Sequence, residues 1–174
     1  MFCSKWANYS YREQPDRDRD GEWLHDAQLG AWRMLREHGL PCRIICEDNL
    51  DEPELSKYRG IYVAFSPPQL MPQRDRDRLA GLCDHIPAII DVELAPENAG
   101  GGTAMDFGQD PEAGRFPITA PGLPRWGIPK RPLLGHGGRR VTLGFPLAYV
   151  WLHGTDRPAC ERVLGWAMDR SWGR

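Results

Sequence analysis

The chain has 174 residues, 41% of them apolar and 26% charged, which fits a single folded domain with a sizeable core and excludes wholesale disorder. A formal net charge of -2 removes the concentrated basic surface that nucleic acid requires, and no apolar run approaches the roughly 20 residues of a membrane span. Glycine (19), proline (16) and tryptophan (7) are the outliers; the first two predict long ordered loops, the third aromatic surface for packing, a partner or a sugar ring.

The first segment, "FCSKWANY" at residues 2 to 9, reads as a short strand, and "MFCSKW" lacks the apolar core of a signal peptide, so a cytoplasmic location is the default expectation. A loop, "REQPDRDRDG", follows. Asp20 is then the expected N-cap of a helix, with Glu22 in its first turn. Leu24, Ala27, Ala31, Met34, Leu35 and His38 recur at helical spacing until Gly39 stops it. "PCRIICEDN" predicts a second strand over Cys42 to Cys46, and "LDEPELSKYRG" a connector with room for one helical turn.

"IYVAF", residues 61 to 65, is apolar on both faces and predicts a buried strand that ends at "SPP". Residues 72 to 85 open with a proline and carry Leu79, Leu82 and Cys83 on one stripe, the pattern of a second helix; "IPAIIDVEL" then returns as a fourth strand. From Ala95 to His136 glycine and proline abound and periodicity is lost, so this stretch reads as a loop excursion with room for a small hairpin. A late strand is expected near Arg140 to Leu143. The closing helix is expected to be capped by Thr155 or Asp156 and packed through Ala159, Val163, Trp166 and Ala167.

Alternation of strands and helices predicts an α/β three-layer sandwich: a mainly parallel central sheet with helices on both faces, one domain over residues 1 to 174 with the excursion at 95 to 136. The sign-alternating runs "DRDRDGE" and "QRDRDR" read as solvated surface. Five cysteines, an odd number with no CxxC pair, and five scattered histidines give neither a disulfide framework nor a metal site, and buried thiols are expected. On a strand, Cys42 and Cys46 would lie ~13 Å apart, too far for one ion.

In such a sheet ligands bind beyond the carboxyl ends of the strands. That rule places Ser4, Lys5 and Trp6 after strand one, Glu47 and Asp48 after strand two, Ser66 after strand three, Asp91 and Glu93 after strand four, and Gly144 and Phe145 after the late strand. Trp6, Glu47, Asp48, Ser66, Asp91 and Glu93 are the candidate ligand-binding residues, a tryptophan among carboxylates that would suit a carbohydrate through ring stacking and hydroxyl hydrogen bonds. Asp91 and Glu93 would point to one face ~7 Å apart, a spacing open to acid and base roles.

The order of elements resembles the class I glutamine amidotransferase-like fold and, within it, the trimerisation domain that follows the catalytic barrel of bacterial β-galactosidases. The likeness rests on "GAWRMLREHGLPCRIICEDNL", on "LSKYRGIYVAFSPPQLMPQRDRDRLAGLCD", and on "GGRRVTLGFPLAYVWL" with the helix around "VLGWAMD". In amidotransferases a nucleophilic cysteine sits on a glycine-flanked turn after a strand such as "IPAIIDVEL", assisted by a histidine. Here Asp91, Val92 and Glu93 occupy that turn and Gly-x-Cys-x-Gly occurs nowhere. The resemblance therefore implies a non-catalytic accessory domain that needs no cofactor and assembles as a homo-oligomer or with a glycoside hydrolase partner. A local likeness points elsewhere: "GGTAMDFG", residues 101 to 108, is similar to the "SGTAxExG" stretch of nucleoside 2-deoxyribosyltransferases, whose glutamate is the nucleophile. That would make Asp106 the third catalytic candidate, beside Asp91 and Glu93, in a small hydrolase or glycosyl-transferring enzyme.

Overall fold

The computed structural model describes residues 1–12, 17–64, 66, 71–91, 134–137, 139–143, 147–153 and 157–173, and every structural statement below concerns these. They form five helices, α1 (Lys5–Arg12), α2 (Arg17–Glu37), α3 (Gln73–His85), α4 (Leu147–His153) and α5 (Arg157–Trp172), and four strands, β1 (Ile61–Val63), β2 (Ala88–Ile90), β3 (Leu134–Gly137) and β4 (Arg140–Leu143). The sheet runs β1-β2-β4-β3; β1, β2 and β4 are parallel, and β3 is antiparallel to β4. Phe2 extends it beyond β1, bridging in parallel to both Val63 and Ile45.

Alternation along the strands sorts their side chains into two apolar clusters. Tyr62, Ala64, Ile89, Val141 and Leu143 pack with Ala31, Met34 and Leu35 of α2 and with the buried faces of α4 and α5. Phe2, Ile61, Val63 and Ala88 pack instead with Ile45, Leu50, Leu55 and Cys83, the last on α3. The predicted packing residues of the closing helix, Ala159, Val163, Trp166 and Ala167, are all buried. Its proposed caps, Thr155 and Asp156, lie outside the described residues. α2 and α4 cross so closely that a Cβ on Gly30 would stand 2.3 Å from the Ala148 carbonyl oxygen. Gly39 ends the α2 segment at φ +68°, a left-handed conformation that glycine adopts without steric cost.

The expected first strand is confined to the bridge at Phe2; from Lys5 the chain is helical. Ser4 explains why, since its hydroxyl accepts the Ala7 N–H (3.2 Å), the bond of a serine N-cap, and so starts α1 where the apolar pattern alone read a strand. α2 begins at Arg17, which puts Asp20 inside the helix, not at its cap. Arginine is a good helix former and acidic residues are favoured in a first turn, so the helix extends back through the charged run. The second strand shrinks to Ile45 before a 3₁₀ turn at Glu47–Asn49, and the connector holds another at Pro53–Lys57.

Strand β3 falls largely within the stretch read as a loop excursion and closes a hairpin with β4. Helix α4 is new, because "LAYVWLH" is apolar without a helical period. Cys83 and Cys160 are buried as expected, but Cys3, Cys42 and Cys46 are only half-buried, and none of the five forms a disulfide. No helix is long and apolar enough to cross a membrane, and no cluster of metal-ligating side chains occurs among the described residues.

Candidate functional site at the carboxyl ends of the strands

The lateral order Ile45, Phe2, β1, β2, β4 reverses direction at Phe2, and in open parallel sheets ligands are received beyond the carboxyl ends on either side of such a reversal. Backbone bonds set the level of these ends: Ala64 N–H donates to Phe2 O (3.0 Å), Cys3 N–H to Ile45 O (2.9 Å) and Asp91 N–H to Val63 O (2.9 Å). Ser4, Ser66, Glu47 and Asp91 therefore emerge together at one rim of the sheet, and all four are buried.

Glu47, only 1% exposed, is held by α1. Its Oε2 accepts the Lys5 N–H (2.9 Å) and its Oε1 the Ser4 hydroxyl, while Ser66 Oγ accepts the Ser4 N–H (3.1 Å). A carboxylate at a helix N-terminus satisfies donors that have no partner within the helix and complements the helix dipole. The place where this kind of fold receives an anion is thus filled by the chain's own side chain.

Above it lies a more open ledge. Trp6 donates its indole N–H to Asp75 (2.9 Å) and meets Tyr9 edge-on with ring centroids 6.3 Å apart; Tyr9 is 53% exposed. Lys5 pairs with Asp48 and stands 5.6 Å from the Trp6 ring centroid. The Asp48 hydrogen bond raises the Lys5 pKa, and the bond from Trp6 holds the Asp75 carboxyl below its usual range. Asp75 belongs to the "QRDRDR" run read as solvated surface. Its neighbours Asp77 and Arg76 do pair locally with Gln73, but the helical period turns Asp75 toward Trp6 and Arg78. Only the placement of α3 against α1 reveals that role.

Asp91 behaves differently. It is 0% exposed at the end of β2, and neither carboxyl oxygen has a hydrogen-bond partner. The Leu147 and Ala148 N–H groups in the first turn of α4 and the Tyr62 phenol are near enough to bias its ionisation, though none reaches hydrogen-bond geometry. Burial dominates and pushes the Asp91 pKa up to about 7, and Tyr62, equally buried and facing Asp91, is raised well above 10. The result is a carboxyl group that is largely protonated until neutral pH, walled in by an apolar core. Shifts of this kind cluster at functional sites but also arise wherever a charge is buried.

Of the sequence candidates, Trp6, Glu47, Asp48 and Ser66 are thus brought together with Ser4 and Lys5, while Asp91 faces inward beneath α4. Glu93, Asp106, Gly144 and Phe145 lie outside the described residues. Asp75 and Tyr62 are added by the structure. No protein-family model, no curated protein and no solved structure matches the chain.

Proposed function

We propose that the chain is a non-catalytic amidotransferase-like accessory domain of the kind found as the trimerisation domain of β-galactosidases, assembling with copies of itself or with a glycoside hydrolase. The reading takes the two apolar clusters as the two faces of a three-layer sandwich and the reversal of strand order at Phe2 as that fold's signature. One observation carries it: the residue directly after β2, where an amidotransferase keeps its exposed thiol, is Asp91, a fully buried carboxyl group. Such a group cannot present a nucleophile to glutamine. A carbohydrate, where one binds, is expected on the Trp6–Tyr9 ledge, whose rings offer a stacking surface.

Light scattering on the purified chain, alone and mixed with a glycoside hydrolase encoded beside it, tests the assembly role. A stable oligomer or complex is expected; a monomer at high concentration that ignores the hydrolase overturns the proposal. A second reading draws on the raised pKa of Asp91, which suits a general acid. In that case nitrophenyl glycosides, glutamine or deoxynucleosides are turned over, and turnover disappears in Asp91→Asn, Glu93→Gln or Asp106→Asn.

A further inference from the structure

We propose that a pocket at the opposite, amino-terminal edge of the sheet is a binding site for a small apolar monocarboxylate, its hydrocarbon body seated on the apolar walls and its carboxylate held by Arg59 at the open rim. The cavity measures about 130 Å³ and is walled by elements from both sides of the sheet: Leu35 of α2, Leu40 after it, Ile61 of β1, Leu82 of α3, Ile86 and Trp172 of α5. An apolar space of about 150 Å³ takes up a benzene-sized molecule, so this one admits a body of about six carbons. Apolar walls left without neighbours forgo packing contacts, and an apolar guest that fills the space restores them.

The rim supplies the charge. Arg43 and Arg59 both border the cavity, but among the described residues only Arg43 has a carboxylate. Arg43 is engaged by Glu52 through two contacts, Nη1 to Oε2 at 2.7 Å and Nη2 to Oε1 at 3.1 Å. The only hydrogen bond of Arg59 among the described residues is a long one, 3.5 Å from Nη2 to the Gly173 carbonyl. A guanidinium beside an apolar hole, without an anionic partner among the described residues, matches a ligand with one carboxylate at the end of a short hydrocarbon body.

Titration of the whole protein with hexanoate, followed by two-dimensional amide NMR and calorimetry, tests this. Saturable shifts are expected at Leu35, Leu40, Ile61, Leu82, Ile86 and the Trp172 indole. Arg59→Gln should weaken hexanoate about tenfold and leave hexanol unaffected. Leu82→Trp, which fills the cavity, should abolish binding of both; Leu40→Trp serves if that variant does not melt cooperatively. The proposal is overturned by shifts that do not saturate, by shifts centred elsewhere, by hexanol binding as tightly as hexanoate, or by undiminished binding in the filled variants.

Discussion

Replacing Asp91 by asparagine should stabilise the protein at neutral pH and leave its stability nearly unchanged in acid. In the unfolded chain the carboxyl ionises around its ordinary value of 3.8, whereas burial holds it protonated to about 7 in the folded protein. Its folded pKa is raised, so its favourable contribution is complete below 3.8 and is lost as pH climbs toward 7. At 1.36 kcal/mol per pH unit, the roughly three units between those values amount to about 4 kcal/mol, fully felt from about pH 7 upward. Tyr62, the titratable side chain that faces it, stays neutral throughout this window.

Asparagine keeps the shape of the protonated acid and cannot ionise, so Asp91→Asn escapes that loss. For a chain of this length the gain corresponds to about 10 °C in Tm. The assay is thermal or urea unfolding of the two proteins side by side at intervals from pH 4 to pH 8, where the difference between them cancels every other titrating group. A difference that is the same at pH 4 and pH 8, or a variant less stable than the parent at pH 8, would refute the reasoning. It would show that the α4 N–H groups at Leu147 and Ala148 solvate a charged Asp91 well enough to outweigh burial.

Gly30→Ala should cost about 1–3 kcal/mol in urea unfolding, because its Cβ would meet the Ala148 carbonyl oxygen at 2.3 Å and force α2 and α4 apart. Removing the α1 cap with Ser4→Ala should cost about 1–2 kcal/mol, and Glu47→Ala about as much, since each leaves buried donors or acceptors without partners. The double variant should lose less than the sum of the two single losses; strict additivity would mean that the two side chains do not act as one cap. Ser171→Ala should loosen the end of α5 by about 1 kcal/mol, because that hydroxyl serves the Arg139 and Ala88 carbonyls at 2.8 and 3.1 Å; unchanged denaturation midpoints would count against this.

The sequence by itself determined the elements whose pattern is long or unambiguous. The α2 stripe through Ala27, Ala31, Met34 and Leu35 to Gly39, the buried run at Ile61–Val63, the α3 stripe and the closing helix all follow from periodicity and composition, which depend on nearest neighbours along the chain. It also placed Ser4, Lys5, Trp6, Glu47, Asp48 and Ser66 at strand ends, where a parallel sheet gathers polar residues.

Tertiary structure alone decided the rest. Whether "SKWANYSYR" is strand or helix turned on a cap bond from Ser4 and a carboxylate delivered by Glu47 from 43 positions away. "LAYVWLH" became a helix because its burial between α2 and α5 outweighs its lack of period. Asp91 reads in the sequence as an exposed partner of Glu93, and only the covering of β2 by α4 and Tyr62 turns it into a buried acid with a pKa near neutrality. Local pattern records which residues can face a core, but desolvation depends on what the rest of the chain lays over them.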